Sequence, residues 1–321
     1  LKKEDLVVEF KKKKYGFFGD ASIQICEWNK KALRGEGVCY KQDFYGADTL
    51  SCHQIAPTTF WCNNKCIFCW RPMEYMKGTP PKLPQPEEMI NGLISERKKL
   101  LTGFGGHNEE TKLRLKNALV PKHWAISLSG EPTLYKELPK LIYSLKKREE
   151  TETVFLVSNG ENPDMLIKLW KKDSLPTQLY ISMISPNESL WKRITCNTEK
   201  DGWKKYLKSL ALISLLPCRS VIRLTLIKGF NDSKETLEEF AQVLSAVKSD
   251  FIEIKSYMWL GFSRKRLNET NTPSFEYTKD FSKKLLELMQ EYKFESEKEN
   301  SRIVLLKRKD SKYKTKIIDR D

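Results

Sequence analysis

The chain has 321 residues and eight cysteines, with 57 lysines and arginines against 42 aspartates and glutamates, a formal charge of +15. That length accommodates one large α/β domain or two smaller ones, and no apolar run reaches the roughly eighteen residues of a membrane span, Leu210 to Pro217 being the longest. The basic excess favours a polyanionic partner, although lysine- and glutamate-rich surfaces also mark heat-adapted proteins.

Residues 1–55 read as a basic N-terminal extension, with Lys11–Lys14 as its densest charge run. Cys26, Cys39 and Cys52 follow, with twelve residues between successive members. Three such thiols in a glycine-containing stretch could hold an iron–sulfur cluster with one iron left open. A zinc site completed by His53, or free thiols, are the alternatives, and adjacent residues such as Cys52 and His53 rarely serve one metal together. Lys41 lies close by; an amine beside an iron centre could have its pKa lowered and form a Schiff base with a carbonyl substrate. A solvated lysine is the plainer reading.

An apolar run at Thr58–Trp61 predicts the first strand, and Phe60-Trp61-Cys62-Asn63-Asn64-Lys65-Cys66-Ile67-Phe68-Cys69-Trp70 follows it. Cys62, Cys66 and Cys69 have C-x3-C-x2-C spacing, and no fourth ligand follows before Met73 and Pro80. Clusters of the [4Fe–4S] type normally take four cysteines, so three leave one iron free to bind a small molecule. Zinc would want a fourth thiolate or imidazole nearby. The cysteines are thus grouped like metal ligands in a reducing cytosol rather than like disulfides, and a cytoplasmic protein is expected. Cys196 and Cys218 read as isolated core thiols.

Further strands are predicted at Trp124–Leu128, Thr153–Val157, Gln178–Ser182, Val221–Ile227, Phe251–Lys255 and Arg302–Leu306. Helical patterns alternate with them at Glu87–Leu101, Leu138–Lys147, Asp164–Lys171, Trp203–Leu215, Ser233–Val247 and Tyr277–Tyr292. Alternation of this kind implies parallel βαβ units wound right-handedly, with ligand sites at the C-terminal strand ends. The expected organisation is the extension 1–55 followed by a (β/α) barrel core over 56–321 with a basic tail. Gly130-Glu131-Pro132-Thr133 and Val157-Ser158-Asn159-Gly160 each end a strand, so with the cysteine loop they should share one mouth. Thr102–His107 reads as a flexible connector, not a phosphate loop, because no strand leads into it.

The stretch from Cys39 to Arg71, with HWAISLSGEPTLY, LVSNG, PTQLYIS, RLTLIKGFND and IEIKSYMWLGFSRKRL in order, resembles the archaeal tRNA 4-demethylwyosine synthases, radical S-adenosylmethionine (SAM) enzymes of the wybutosine pathway. The likeness runs from about Cys26 to Val304. It implies a radical-SAM partial TIM-type (β/α) barrel with an N-terminal cluster-binding extension, and two [4Fe–4S] clusters on the two cysteine triads. It further implies SAM contacts from Gly130 and Glu131, from Ser158 and Asn159, and from Phe68 against the adenine. Where the family usually has an aspartate after the LYIS strand, this chain has Met183-Ile184-Ser185, with Asn187 or Glu188 as possible substitutes.

The implied reaction joins pyruvate to N1-methylguanosine 37 of tRNA-Phe, loses the pyruvate C1 carbon and closes a tricyclic base. The same resemblance implies an external low-potential electron donor; a monomer is expected. Pyruvate would be held by the open iron of the Cys26/Cys39/Cys52 cluster or by Lys41, and the sequence leaves both open. Trp259, Phe262, Arg264, Lys265 and Arg266 combine aromatic and basic groups suited to single-stranded RNA. Lys11–Lys14 and the tail from Lys307 to Lys316 are broader candidates, a solvated face or disordered tail being the plainer reading of the latter. Another radical-SAM tRNA enzyme, such as a methylthiotransferase, and a metal-stabilised RNA-binding protein without catalytic activity are the competing readings.

Overall fold

The computed structural model describes residues 3–76, 79–105 and 109–319. Its chain order is α1 (Lys3–Lys12), β1 (Tyr15–Phe18), β2 (Ala21–Gln24), α2 (Glu27–Arg34), α3 (Tyr40–Tyr45) and β3 (Cys52–Ala56). Then come α4 (Pro86–Leu101), α5 (Glu109–Leu119), β4 (His123–Ile126), α6 (Leu138–Lys146), β5 (Thr153–Ser158), α7 (Pro163–Lys171) and β6 (Gln178–Met183). The remainder is α8 (Glu188–Thr195), α9 (Gly202–Ile213), β7 (Arg219–Leu226), α10 (Lys234–Val247), β8 (Phe251–Ser256), α11 (Phe275–Leu288), β9 (Tyr292–Lys298) and β10 (Ile303–Arg308).

All ten strands form one open sheet in the order β1-β2-β3-β4-β5-β6-β7-β8-β10-β9. Strands β3 to β8 are parallel, and the antiparallel pairs β1–β2 and β10–β9 finish the two edges. The βαβ pattern is therefore present, but as an open, partial barrel. The first parallel strand is Cys52–Ala56, not Thr58–Trp61, which forms the turn that follows it. The aromatic and β-branched residues of that turn are buried against the core rather than paired in a ladder, which is why they read as a strand. The division at 55/56 runs through β3, and β1 and β2 continue the same sheet. Of the loop Thr102–His107, residues 102–104 make a 3-10 turn, while 106 and 107 lie outside the described residues.

The helices pack outside the sheet through one apolar core that contains Trp124, Leu156, Leu179, Ile222 and Ile254. A second cluster fills the inner face at the N-terminal strand ends: Tyr40, Phe44 and Tyr45 of α3 against Phe155, Tyr180, Val221 and Phe251. Helix α3 thus plugs the bottom of the partial barrel. The C-terminal tail seals the same end, with Ile317 N donating to Tyr45 O at 3.0 Å and Arg219 Nη2 to Thr315 O at 2.9 Å. Tail residues 311–319 are accordingly ordered at the closed end, remote from the loops at the strand C-termini.

Candidate active site

The loop after β3 is built by hydrogen bonds from three distant segments. Lys65 N donates to Thr195 O at 2.8 Å and Ile67 N to Ile194 O at 2.9 Å, tying the loop to the end of α8. Glu131 N donates to Trp61 O at 2.8 Å. Phe262 N donates to Trp70 O at 3.0 Å and Arg266 Nε to Ile67 O at 3.0 Å, while Arg266 Nη2 reaches Cys69 O. Held in this way, Cys62, Cys66 and Cys69 are half-buried and free of disulfides. Burial pushes all three thiols up, and at Cys66 the charges of Cys62 and Cys69 add to it. Cluster ligands must be thiolates, so loading releases protons. Among the described residues no three His, Cys, Asp or Glu side chains group tightly enough for one metal ion. A tetrahedral zinc site needs that closeness; a cubane, which takes one thiolate per iron corner, does not.

The strand-end motifs meet around one carboxylate. Glu131 Oε1 accepts from Ser158 Oγ (2.8 Å), Thr133 N (3.0 Å) and Thr133 Oγ1 (2.6 Å), and Oε2 accepts from Asn159 N (2.8 Å). Burial raises its pKa against those donors. Oε2 retains acceptor capacity suited to an ammonium group. Gly130, at φ +68, brings its backbone so close that a Cβ would lie 2.6 Å from Trp61 O. Phe68 is half-buried against the main core.

Sequence reasoning missed the next shell. Glu161 accepts from Asn63 Nδ2 (2.7 Å), Asn197 Nδ2 (2.6 Å) and Asn64 Nδ2, and burial pushes its carboxyl up to about 8. Asn159 Nδ2 donates to Asn63 Oδ1 at 2.7 Å. The available signal was Asn63-Asn64 inside the cysteine motif and Glu161 directly after Gly160. Asn187 and Glu188 do not take the place of the missing aspartate. Asn187 caps α8 and donates to Glu239 at 2.6 Å, while Glu188 pairs with Lys192 at 2.7 Å.

The second triad converges at the other end of β3. Cys26 caps α2, Cys39 caps α3 and Cys52 opens β3. Thr49 joins them: its carbonyl accepts from Asn29 Nδ2 at 2.5 Å, and its hydroxyl accepts from Cys39 N at 2.9 Å. Burial raises the three thiols, Cys52 to about 12, and the charge of Cys26 bears on both Cys39 and Cys52. His53 points away, buried against Trp124 with ring centroids 5.2 Å apart.

Lys41 sits beside this triad on the inner face, with Nζ 4.5 Å from the Phe155 ring centroid and 5.5 Å from that of Tyr180. Burial lowers its pKa, and the thiolates of Cys52 and Cys39 act against the charge of Arg223. A buried cluster floors the chamber: Arg223 pairs with Glu253 at 2.7 Å, and Tyr45 OH donates to Glu253 at 2.7 Å. A second amine, Lys255, lies 5.4 Å from the Tyr40 ring centroid, donates to Ser301 O at 2.7 Å, and is pushed down to about 8 by burial. Arg223, Glu253 and Lys255 are charged residues inside parallel strands, where apolar runs are the norm. That anomaly was legible in the sequence.

The aromatic–basic segment lies over the mouth, but its members differ. Phe262 is flanked by Lys265 (4.9 Å) and by Lys13 of the N-terminal segment (5.7 Å). Arg264 stacks on Trp259 at 4.8 Å and is exposed. Arg266 is engaged with the cysteine loop and with Glu74.

Known proteins match this geometry. The family model for the radical SAM superfamily covers residues 56–242, and that for wyosine base formation covers 246–308. The chain is 39% identical over 312 residues to the S-adenosyl-L-methionine-dependent tRNA 4-demethylwyosine synthase of Pyrococcus abyssi, covering 96% of this chain and 90% of that one. It is 34% identical to the synthase of the same description in Methanocaldococcus jannaschii, covering 98% and 99%. A solved structure of TYW1 with a lysine–pyruvate adduct bound superposes with a TM-score of 0.87 at 33% identity, covering 98% and 99%. The chain belongs to the family of S-adenosyl-L-methionine-dependent tRNA 4-demethylwyosine synthases, radical SAM enzymes of wyosine formation.

Proposed function

We propose that this chain converts N1-methylguanosine 37 of tRNA-Phe, with pyruvate, into the tricyclic base 4-demethylwyosine. The observation that carries the reading is Lys41, an amine of lowered pKa set among three cysteines on the inner face of a radical SAM sheet. A relative solved with a lysine–pyruvate adduct bound supports a lysine as the holder of pyruvate, and we take that lysine to be Lys41. Cys62, Cys66 and Cys69 would hold one [4Fe–4S] cluster and Cys26, Cys39 and Cys52 a second. When bound, the first with SAM would supply the radical chemistry that activates the N1-methyl group.

The chain's own residues do the rest. Glu131, with Asn159 and Ser158, offers acceptors and donors to the amino-acid end of SAM, and Phe68 an apolar face to its adenine. Lys41 as the free amine attacks the keto carbon of pyruvate, water leaves, and the Schiff base fixes the carbon donor. The Arg223–Glu253 pair, with Tyr40 and Tyr45, closes the chamber to water from below. At the mouth, Trp259 and Phe262 offer stacking faces, and Lys13, Arg264 and Lys265 offer cations for anticodon-loop phosphates. We take the electron donor to be an external low-potential protein and the enzyme to act as a monomer in the cytoplasm. Among the described residues no helix is long and apolar enough to cross a membrane.

The test is anaerobic incubation of reconstituted protein with SAM, reductant, pyruvate and tRNA-Phe bearing N1-methylguanosine 37. A tricyclic base formed only with pyruvate is expected. A sulfur-bearing product, as a methylthiotransferase would give, or a pyruvate-independent product would overturn the reading.

A further inference from the structure

Helix α4 buries a cation beside the second triad. Arg97 is 1% exposed. Its Nε donates to Ala118 O at 2.9 Å and its Nη2 to Leu50 O at 2.8 Å. Among the described residues Nη1 has no hydrogen-bond partner, and no carboxylate forms an ion pair with this guanidinium. The surroundings are apolar: Ile25, Leu33, Leu101 and Ala118, with Leu50, Leu100 and Leu115 at the margin. Asp48 acts on this charge without forming an ion pair with it; a buried charge lacking a paired anion and an orphaned N–H are each unfavourable, and an anion against Nη1 would relieve both. The thiols of Cys52 and Cys26 feel the charge of Arg97, and it feels theirs. The held carbonyl of Leu50 is only two residues before Cys52.

We propose that Arg97 is the counter-ion of the second iron–sulfur cluster, its charge and free Nη1–H directed at the sulfur-rich anion on Cys26 and Cys52, and that it holds that cluster's reduction potential up. This rests on reading Cys26, Cys39 and Cys52 as cluster ligands. A cubane with three thiolates is a net anion that gains charge on reduction, and nearby positive charge or N–H donation to sulfur favours the reduced state. The rival partner for Nη1 is the equally orphaned His53 Nε2 through a water. An imidazole carries no negative charge, so through a water it would satisfy a hydrogen bond but not the charge.

The experiment uses the full chain with Cys62→Ala, Cys66→Ala and Cys69→Ala, reconstituted anaerobically, so that only the second triad can load. Iron and sulfide are quantified, and the midpoint is measured by a spectroscopically monitored redox titration with Arg97 intact, Arg97→Lys or Arg97→Met. With Arg97→Met the reduced-to-oxidised ratio at a fixed potential should fall at least tenfold, about 59 mV for one electron, while Arg97→Lys stays near the parent. Loss of loading in Arg97→Met alone would support the same charge requirement. An unchanged midpoint in Arg97→Met would overturn the proposal, and equal loss by both variants would assign Arg97 to packing alone. A parent that loads no iron or sulfide would instead remove the second cluster, and the proposal with it.

Discussion

Arg266 Nε lies 3.0 Å from the carbonyl oxygen of Ile67, joining segments 199 residues apart at the loop that carries Cys62, Cys66 and Cys69. Its other nitrogens reach Cys69 O and Glu74. The guanidinium therefore sets the shape of the cysteine loop, although Arg264 and Lys265 just before it face solvent. Arg266→Ala should lower iron content and SAM cleavage together, since charged hydrogen bonds to backbone are worth about 1.5–3 kcal/mol each. Arg264→Ala and Lys265→Ala should instead leave iron content intact and reduce the salt slope of tRNA binding by about one each. The paired measurements are iron analysis and binding titrations at several salt concentrations. Normal iron and a reduced slope in Arg266→Ala would return that residue to the RNA face.

Gly130 combines φ +68 with backbone oxygens on the side where a Cβ would stand, Trp61 O at 2.6 Å among them. Neither the left-handed conformation nor the approach suits alanine. Gly130→Ala should destabilise the fold by at least about 2 kcal/mol and displace Glu131 from Ser158 and Asn159. Chemical denaturation midpoints give the first effect, and SAM affinity gives the second.

The two triads should separate by function. Cys62→Ala should abolish SAM cleavage, whereas Cys39→Ala should spare much of the cleavage and lose base formation. Release of 5′-deoxyadenosine and appearance of the modified nucleoside are measured in the same reaction. Equal loss of both in both variants would argue against divided roles.

Parallel strands β4 to β8 and most flanking helices were legible because apolar runs and helical periods alternate from residue 86 onward. The C-x3-C-x2-C loop stood out because its spacing is local in the sequence, whereas the wider spacing of Cys26, Cys39 and Cys52 left a second cluster as one reading among several. Residues 3–45 were not: α1, α2 and α3 are short and charged, and α3 is defined by packing its Tyr40, Phe44 and Tyr45 into the strand ends rather than by periodicity. Arg266 looked like an RNA contact because its neighbours are basic and aromatic, and only tertiary structure brings it to Ile67. The tail from Lys307 read as solvated charge, yet Ile317 and Tyr313 pack against the α3 aromatics, an apolar anchoring diluted by the surrounding lysines.

Two lysines share the chamber, and their surroundings distinguish them. Lys255 Nζ is engaged with Ser301 O at 2.7 Å, whereas Lys41 Nζ faces the rings of Phe155 and Tyr180. Borohydride reduction in the presence of pyruvate should therefore trap the adduct on Lys41. Peptide mapping by mass spectrometry should find Lys255 unmodified, and Lys41→Ala should lose the adduct. A trapped pyruvyl group on Lys255 would reassign the amine.

Lys255 also makes a pH prediction whose sign can be worked out. Its pKa in the fold is about 8, lowered by burial first and then by the charge of Arg223, against 10.5 when free. Below about pH 8 both folded and unfolded chains carry the proton, and its buried charge is a constant cost. Between about 8 and 10.5 the unfolded chain holds a proton that the folded one has released, so this residue's contribution to stability rises with pH. The buried cysteines act in the opposite sense, because their folded pKa values are raised and the unfolded chain ionises first. The useful quantity is therefore a difference. The stability of the wild type relative to Lys255→Met should rise from pH 8 to pH 10, measured by denaturant titration under reducing conditions in the metal-free protein. A difference that is flat or falls with pH would mean that Lys255 keeps its proton in the folded chamber, leaving it a cation there, unable to act as a nucleophile.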